Sequence, residues 1–476
     1  MDDKTTTEKV NRLHFVGIAG SGMSALAQLV RAHGCAVSGS DRSFDTAPHL
    51  TDHMIKIFNK QDIRIFPQDG AGIDDSIDSV IVSSAIEDTN QEISAAKKLG
   101  IPIVKRAGLL SGIFNDKTGI AVGGTSGKST VTAMIAFILI KNELNPSYIG
   151  GGVINSLDSA DSLMPNAYAG ASDLICVEAD ESDGSIVLFK PKISVLTNIS
   201  KDHKDISELK TLFGQFIENT SGAVIINNDC PLINELSLPE KKYISYAVDN
   251  DAVLKAENIS LYYNSSSFTA GGSIYELKIP GVHNISNALA AIAVCRHLGL
   301  DDRKIGTALM EFRGIKRRLE LIGEFNGIKV YDDYSHNPVK IRAAITALKP
   351  HCGRILAVFQ PHGFSPTSHL KEEYIDLFSD RLDKNDHLFL PEIYDAGGTA
   401  SRDISSKDIV RAVKKRSPLI NASYIPERED IMRDLIKTAG PGDTILVMGA
   451  RDHSLTKFCE DILSRIKRLN KTPLKI

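Results

Sequence analysis

The segment Ala121-Val-Gly-Gly-Thr-Ser-Gly-Lys-Ser-Thr130 decides how the middle of this chain folds. The apolar run from Thr118 to Val122, which overlaps the start of this segment, predicts a buried strand. The apolar run 131–140, which follows the segment, predicts a helix. A glycine-rich turn between a strand and a helix N-terminus directs backbone N–H groups at phosphate oxygens. The segment therefore predicts a nucleoside triphosphate site, whose loop residues are Gly124, Thr125, Ser126, Gly127, Lys128, Ser129 and Thr130.

Two side chains of this segment carry the predicted chemistry. The Lys128 ammonium would neutralise phosphate charge, and the Ser129 hydroxyl could ligate Mg²⁺. The motif is a shortened variant, because Val122 stands where the usual spacing has its first glycine, and Gly123 and Gly124 supply the turn instead. The alternative interpretation is an ordinary strand, turn and helix whose lysine is solvated.

The composition is that of an ordinary enzyme. The 476 residues are too many for one hydrophobic core and suggest about three domains. A net charge of −4 does not indicate a basic surface that would bind a polyanion, so we expect no nucleic-acid partner. We expect no membrane partner, since no apolar run approaches the ~20 residues that span a bilayer. Six scattered cysteines without CxxC spacing, and an N-terminus without an apolar signal core, predict a cytoplasmic protein.

The first 115 or so residues alternate between strands and helices and predict a parallel sheet. A first strand leads into Gly17-Ile-Ala-Gly-Ser-Gly22, which is the dinucleotide fingerprint with Ala19 at its second position. A methyl group there hinders close approach of the backbone to a pyrophosphate. Asp41 ends the next strand, where such folds place a ribose-binding carboxylate, and Ser84 ends another. A ligand-free turn and an NAD-binding dehydrogenase are the alternatives, although the second phosphate loop argues against a dehydrogenase.

An acidic cluster follows the strand after the phosphate loop. The stretch Glu178-Ala-Asp-Glu-Ser-Asp183 crowds four carboxylates at a strand end, which is costly unless a cation lies among them. A carboxylate beside a phosphate loop is where Mg²⁺ is normally held, and a solvated acidic turn is the alternative. The next strand is followed by His203, between Asp202 and Asp205, which could ligate a second metal, orient a carboxylate or simply lie at the surface.

The remaining sequence predicts an antiparallel appendage and a third α/β unit. Residues 240–280 alternate with period two between turn residues, which is typical of antiparallel strands. Asn284 and Asn287 open a helix, where their amides could cap the helix or face a base edge. In the third unit Asp332 and His336 follow one strand, and further polar residues follow the others, at the sheet edge where such folds bind ligands.

Taken in order, these motifs resemble the Mur ligase family. Each segment is short, but their order and spacing run almost from end to end of the chain. The matching segments are His14–Ser24, Val37–Asp41, Ser83–Ile86, Gly124–Thr130, Glu178–Asp183, Thr197–Ile199, Asp202–His203, His283–Ala290, Lys316–Arg318, Tyr331–His336 and Phe359–His362.

The resemblance implies a three-domain α/β fold. A Rossmann-like domain for a UDP-sugar would span residues 1–115, and a central P-loop ATPase-like domain with a small antiparallel appendage would span 116–314. A C-terminal Rossmann-like α/β domain, 315–476, would close over ATP and the amine substrate. We further expect a monomer or a weak homodimer.

The resemblance also implies a reaction. An ATP- and Mg²⁺-dependent ligase would phosphorylate the carboxylate of UDP-N-acetylmuramate and then join it to an amino acid, L-alanine, during peptidoglycan precursor synthesis. Lys128, Glu178 and His203 would be catalytic, and Ser129, Glu178 and His203 would hold metal. The ATP site would extend from the phosphate loop to Asn284, Asn287, Arg318, Asp332 and His336. The UDP-sugar would be bound by Gly17, Ala19, Gly20, Ser21, Gly22, Met23, Ser24, Asp41 and Ser84.

The chain departs from the family pattern in its third domain. In the family, two arginines of this domain bind the carboxylate of the incoming amino acid through charge-assisted hydrogen bonds. The corresponding residues of this chain are Gly363 and Pro366. The phosphate loop's usual histidine is Ser126, and Arg451 in the last motif is a candidate replacement cation. A ligase for a peptide or another amine therefore stays open, as does a non-catalytic nucleotide-sugar-binding protein. Retention of the three predicted catalytic residues argues against the latter.

Overall fold

The computed structural model describes residues 11–46, 48–83, 86–157, 166–201, 204–236, 239–395, 402–452 and 454–469. Two of the predicted site residues, Ser84 and His203, lie outside the described residues. The chain divides into two compact units, residues 1–256 with 286–309 and residues 257–285 with 310–476. Within the described ranges, the helices are too short or too polar to cross a membrane.

The first sheet of the first unit is parallel, with strand order β3-β2-β1-β4-β5. The chain order reverses beside β1, so the crevice at the carboxyl ends of β1 and β4 is the position where such sheets bind ligands. Its elements are β1 (Arg12–Val16), α1 (Ser21–Ala32), β2 (Ala36–Ser40), α2 (Arg42–Thr46), α3 (Pro48–Lys60), β3 (Arg64–Phe66), β4 (Ser79–Val82), α4 (Gln91–Leu99), β5 (Ile103–Lys105) and α5 (Arg106–Asn115).

A buried chain of hydrogen bonds supports the fingerprint loop from within this sheet. Nε2 of His14 donates to Oε1 of Glu92 over 3.2 Å, and the Ser40 hydroxyl donates to the other carboxylate oxygen over 2.6 Å. All three side chains are fully buried. The carbonyl oxygen of Ser40 in turn accepts the N–H groups of Gly17 (2.8 Å) and Ile18 (3.0 Å). This series of hydrogen bonds therefore fixes the position at which the loop leaves β1.

Glu92→Ala should destabilise the first sheet. The substitution leaves the buried donors of His14 and Ser40 without their acceptor, which we expect to lower the unfolding free energy by about 3 kcal/mol. Differential scanning calorimetry would show this as a lower temperature for the earliest transition. Glu87→Ala removes an exposed carboxylate just before the same helix and serves as the control. A loss as small as the control's would contradict a supporting role for the chain.

The second sheet has ten strands and carries the phosphate loop, and the part of it within the first unit has the order β12-β11-β10-β6-β9-β7-β8. Its pairs are parallel except β7 with β8. The helix after the loop is buried along residues 131–139, as expected of a helix that is apolar on every face. The elements are β6 (Thr118–Gly123), α6 (Lys128–Lys141), β7 (Ser147–Ile149), β8 (Ala167–Tyr168), β9 (Leu174–Glu178), β10 (Ile193–Leu196), α7 (Ile206–Glu218), β11 (Ala223–Asn227), α8 (Pro231–Asn234) and β12 (Lys242–Ala247).

The stretch predicted as an antiparallel appendage divides differently. Strand β12 continues the parallel sheet beside β11, and β13 (Leu254–Leu261) pairs parallel with it. Strands β14 (Ser266–Ala270) and β15 (Ser273–Leu277) pair antiparallel. Period-two alternation indicates that one face of a strand is exposed. A parallel edge strand and an antiparallel strand can both have one exposed face, so the alternation does not determine strand direction. Helices α9 (Val282–His297) and α10 (Asp302–Glu311) follow.

The third sheet lies in the second unit and has the order β16-β17-β21-β18-β19-β20, antiparallel between β16 and β17 and parallel elsewhere. The segments after β17, β18 and β21 therefore leave the same edge. The elements are β16 (Glu320–Phe325), β17 (Ile328–Asp333), α11 (Pro338–Leu348), β18 (Arg354–Phe359), α12 (Phe364–His369), α13 (Lys371–Arg381), β19 (His387–Leu390), α14 (Ser406–Arg416), β20 (Asn421–Tyr424), α15 (Arg428–Thr438), β21 (Asp443–Met448) and α16 (Leu455–Leu469).

Candidate active site

The phosphate loop has the predicted strand–loop–helix context, and neighbouring side chains hold its shape. Gly124 and Gly127 adopt φ of +128° and +86°, where residues with a Cβ are strained, and a Cβ on Gly124 would lie 2.1 Å from Oγ1 of Thr197. Oδ1 of Asn198 accepts hydrogen bonds from the Thr125 hydroxyl (2.7 Å) and the Ser126 N–H (2.9 Å). The loop is therefore a preformed turn at the N-terminus of α6, as anion binding requires.

The ammonium of Lys128 lies at this loop in a buried ion pair. It donates to the carbonyl of Gly124 (2.7 Å) and to both carboxylate oxygens of Glu181 (3.0 and 2.7 Å). The two side chains are 12% and 5% exposed. Burial by itself lowers the pKa of Lys128, but the charges of Glu181, Glu178 and Asp180 outweigh burial and raise it. The lysine is therefore a permanent cation, and Glu181 is its partner, a pairing that sequence reasoning did not identify within the acidic cluster.

Ser129 and Glu178 converge on one small space beside the loop. Oε2 of Glu178 accepts the Gly151 N–H over 2.8 Å. A Cβ on Gly151 would lie 2.7 Å from that oxygen and 3.1 Å from Oγ of Ser129, so the glycine leaves this space open. In the described part of the chain no three His, Cys, Asp or Glu side chains converge on a metal position. Two protein oxygens fit Mg²⁺, which usually keeps water and phosphate oxygens as its other ligands.

A cleft of about 350 Å³ joins this space to the fingerprint loop. Its walls include Gly17, Ser21 and Gly22 of the fingerprint loop, together with Glu178 and Asp180. The side-chain amide of Asn166 donates to the Ser21 carbonyl over 2.7 Å and ties the loop to the second sheet. The fold therefore brings the predicted UDP-sugar loop and the predicted metal ligand to the same cleft, although 156 residues separate Gly22 from Glu178 in the sequence.

Arg106 is a residue of this cleft that sequence reasoning missed. It is the one cation among the described residues that line the cleft, and its Nη1 would lie 3.3 Å from a Cβ on Gly22. The residue begins α5 directly after β5. A basic residue at the carboxyl end of a parallel strand was the available signal, because that edge of the sheet binds ligands.

Asp41 braces the fingerprint loop in this structure. Its Oδ2 accepts the N–H of Ala19 over 3.0 Å, and its Oδ1 accepts both the N–H (2.9 Å) and the hydroxyl (2.7 Å) of Ser43. The carboxylate therefore lies against the loop at the end of β2, as the sequence predicts. Its predicted contact with the UDP-sugar stays a prediction.

The predicted ATP-binding residues near the third sheet lie at its carboxyl edge. Asp332 is fully buried and accepts hydrogen bonds from the Thr456 hydroxyl (2.6 Å) and Nε of Arg317 (3.4 Å). Burial raises the pKa of Asp332, and the Arg317 charge opposes the shift. The guanidinium of Arg318 lies 5.0 Å from the centroid of the Tyr334 ring. Asp332 therefore orients Arg317 at this edge.

The remaining predicted nucleotide contacts are also placed by local hydrogen bonds. Nδ1 of His336 donates to the Tyr334 carbonyl over 3.0 Å. The amide of Asn284 donates to the Pro280 carbonyl over 2.8 Å, and Asn284 is buried. The Asn287 amide oxygen packs at the phosphate loop, 2.6 Å from where a Cβ on Gly127 would lie. This contact places Asn287 of α9 at the phosphate loop.

The fold and this site define a three-domain ATP-dependent ligase. Three family models match the chain, described as Mur ligase family, catalytic domain (residues 12–118), Mur ligase middle domain (122–295) and Mur ligase, glutamate ligase domain (317–451). The chain belongs to the Mur ligase family. The predicted α/β fold and the predicted ligase class are confirmed, and the dehydrogenase and non-catalytic alternatives are set aside.

Similar proteins of known name extend over nearly the whole chain. The UDP-N-acetylmuramate–L-alanine ligase of Pelotomaculum thermopropionicum is 36% identical over 462 residues, which cover 94% of this chain and 96% of that protein. The ligase of the same name from Agathobacter rectalis is 36% identical over 480 residues, or 97% of this chain and 100% of the relative.

Two solved structures show the same architecture. The UDP-N-acetylmuramate–alanine ligase of Thermotoga maritima aligns with a TM-score of 0.76 and 26% identity, covering 96% of this chain and 99% of that one. A murein peptide ligase of Psychrobacter arcticus aligns with a TM-score of 0.67 and 23% identity, covering 98% of this chain and 100% of that one. The second likeness concerns the fold alone.

Proposed function

We propose that this protein uses ATP to join L-alanine to the carboxylate of UDP-N-acetylmuramate in peptidoglycan precursor synthesis. The observation that carries the proposal is the cleft that the fingerprint loop and Glu178 line together. A ligase of this kind must hold the carboxylate of a nucleotide sugar beside the terminal phosphate of ATP. Relatives named for this reaction align over almost their full length, which supports the same substrates.

The reaction is a phosphoryl transfer followed by an acyl transfer. A carboxylate oxygen attacks the γ-phosphorus, ADP leaves, and an acyl phosphate forms; the amine nitrogen then attacks the acyl carbon, loses a proton, and phosphate leaves. Phosphoryl transfer depends on positioning and charge neutralisation more than on covalent help from the protein. Lys128 and the loop N–H groups would hold the β- and γ-phosphates. Phosphate oxygens would take the place of Glu181 at the ammonium.

Ser129 and Glu178 are the proposed ligands of Mg²⁺, since their oxygens meet in the space that Gly151 leaves open. The bound ion would neutralise charge on the phosphate oxygens. His203 is the proposed contact for a second metal, by the family resemblance. Glu178 is anchored by the Gly151 N–H, so its carboxylate is oriented before nucleotide arrives.

The remaining assignments are proposals on the same basis. The three domains would span residues 1–115, 116–314 and 315–476, and the family matches lie within similar ranges. The adenosine and its phosphates would contact Asn284, Asn287, Arg318, Asp332 and His336. A reducing cytoplasm would suit the chain, because all six cysteines are unpaired. A monomer or weak homodimer remains our expectation.

Arg106→Ala should raise the KM for UDP-N-acetylmuramate by about 10-fold or more, because charge-assisted hydrogen bonds to phosphate are among the stronger polar contacts. The KM for ATP should stay within about twofold, since the P-loop is untouched. Steady-state kinetics with each substrate varied in turn would measure both constants. Lys105→Ala, which removes the exposed neighbouring cation, is the matched control. An unchanged KM for the nucleotide sugar would remove Arg106 from the site.

The function itself is tested by ADP release from Mg-ATP with UDP-N-acetylmuramate and a panel of amines. The panel contains L-alanine, L-serine, glycine and peptides that begin with L-Ala-γ-D-Glu. We expect strong turnover with L-alanine. Turnover with the peptides alone would favour the second candidate, a peptide ligase, which the replacement of both arginines by Gly363 and Pro366 brings into consideration. No turnover with any amine would overturn the proposal.

A further inference from the structure

An α-amino acid substrate leaves few groups for an enzyme to hold. In L-alanine the amine reacts and the side chain is a single methyl group, so the carboxylate is the main group that an enzyme can bind. Carboxylates are bound most firmly by guanidinium groups, through paired charge-assisted hydrogen bonds. The acceptor site should therefore present an arginine at the ligand-binding edge of the third sheet.

The loop after β18, residues 360–363, contains no arginine. Gly363 adopts φ of +70°, where residues with a Cβ are strained. Its N–H donates to the Tyr394 carbonyl over 2.9 Å, and the Tyr394 N–H donates to the Pro361 carbonyl over 2.8 Å. This pairing holds the loop against the segment that follows β19, so a cation for the loop can come from that segment.

Arg402 is such a cation. Its guanidinium carbon lies 5.7 Å from the centroid of the Phe364 ring, which directly follows Gly363. Its Nη2 donates to Oδ2 of Asp395 over 2.5 Å. Within the described ranges no other hydrogen bond or ion pair involves this guanidinium, which leaves Nε and Nη1 to donate to a ligand. The two side chains are 69% and 44% exposed, and exposed ion pairs are weak, so a ligand carboxylate can displace Asp395.

Three other arginines near the ends of strands in the third sheet are engaged differently. Arg317 is largely buried and donates to the carbonyls of Gly449 (2.7 Å) and Ala450 (3.1 Å). Arg428 pairs with Asp452 over 2.9 Å. Arg451 is exposed, and in the described chain it makes no ion pair or ring contact with the loop after β18. Arg402 is the candidate that lies beside Phe364, directly after this loop.

We propose that Arg402 binds the carboxylate of the incoming amino acid and selects acceptors that carry one. The ring of Phe364 lies beside the guanidinium, and once the ligand displaces Asp395, Nη2 donates to one carboxylate oxygen while Nε or Nη1 donates to the other. This inference rests on the proposed function, because it takes the amine to be an amino acid.

The test compares L-alanine with L-alaninamide, which lacks the charged carboxylate. The wild-type enzyme should prefer L-alanine, and Arg402→Ala should raise the KM for L-alanine at least 10-fold and abolish the preference, with the KM values for ATP and UDP-N-acetylmuramate unchanged. Arg402→Lys should retain part of the preference. Arg433→Ala is the matched control, because Arg433 is 61% exposed and pairs with an aspartate in the same way. If the wild type prefers another amine, that amine is compared with its own carboxamide.

Each outcome decides the inference. If the wild type turns over amines and Arg402→Ala keeps the preference for the acid, the inference is overturned while the proposed ligase function stands. A loss of preference in Arg451→Ala instead would place the carboxylate at Arg451 and also overturn it. If the wild type releases no ADP with any amine, the proposed function fails, and the role of Arg402 fails with it.

Discussion

Lys128→Ala should lower kcat by about 10³-fold or more, because the variant loses the one side chain that would neutralise the transferring phosphates from within the loop. Binding of UDP-N-acetylmuramate in the absence of ATP should change little, since the fingerprint loop belongs to a different sheet. Coupled ADP-release kinetics and isothermal titration with the nucleotide sugar would measure the two effects. Near-normal turnover would overturn the phosphate-loop assignment.

Stability has to be separated from catalysis in this experiment. Lys128→Ala leaves the Glu181 carboxylate, which is 5% exposed, without its counter-charge, and breaking a buried pair typically costs about 3–5 kcal/mol. The double variant Lys128→Met with Glu181→Leu removes both charges together, which is often close to neutral for stability. We expect the double variant to recover the wild-type melting temperature and to remain inactive. Recovery of turnover along with stability would show that Lys128 acts only in folding.

Gly151→Ala should lower kcat by about 10²-fold and raise the Mg²⁺ concentration needed for half-maximal rate, because ion-mediated charge stabilisation is worth several kcal/mol. The added methyl group would lie 2.7 Å from Oε2 of Glu178 and 3.1 Å from Oγ of Ser129, which is the space proposed for the ion. The measurement is a titration of initial rate against Mg²⁺ at saturating ATP and UDP-N-acetylmuramate.

Gly214→Ala is the matched control for Gly151→Ala. Gly214 lies within α7, and a Cβ there meets nothing within 4 Å, so the same methyl addition should leave kinetics unchanged and slightly favour the helix. If Gly151→Ala kept the wild-type Mg²⁺ dependence, the ion would not occupy the space between Glu178 and Ser129. Circular dichroism of both variants would show whether the fold is retained.

Local chemistry in the sequence was enough to predict the phosphate loop and the fingerprint loop. Gly124, Gly127 and Gly17 are positions where the backbone adopts positive φ, and each lies in a turn that the sequence pattern identified. The same is true of β2, since Asp41 was predicted at the end of this strand and directly follows Ala36–Ser40 in the structure. These features depend on contacts within a few residues, which a sequence displays directly.

Contacts between distant segments could not be predicted from the sequence. Three such contacts join residues that lie far apart in the sequence: Lys128 with Glu181, Arg106 with Gly22, and Arg402 with Phe364. The prediction of antiparallel strands in the 240–280 stretch was wrong for β12, which pairs parallel with both neighbours, because alternation indicates exposure and not the direction of the adjacent strand.

The sequence by itself determined the fold class, the two glycine-rich loops and the ligase family. Periodicity, glycine positions and motif order encode these, since they reflect local backbone geometry and burial. The tertiary structure alone decided that Glu178 and the fingerprint loop line one cleft, that Gly151 leaves open the space between Glu178 and Ser129, and that Arg402 lies beside Phe364, directly after Gly363. These depend on how parallel strands place the ends of remote segments at one edge, which spacing along the chain does not encode.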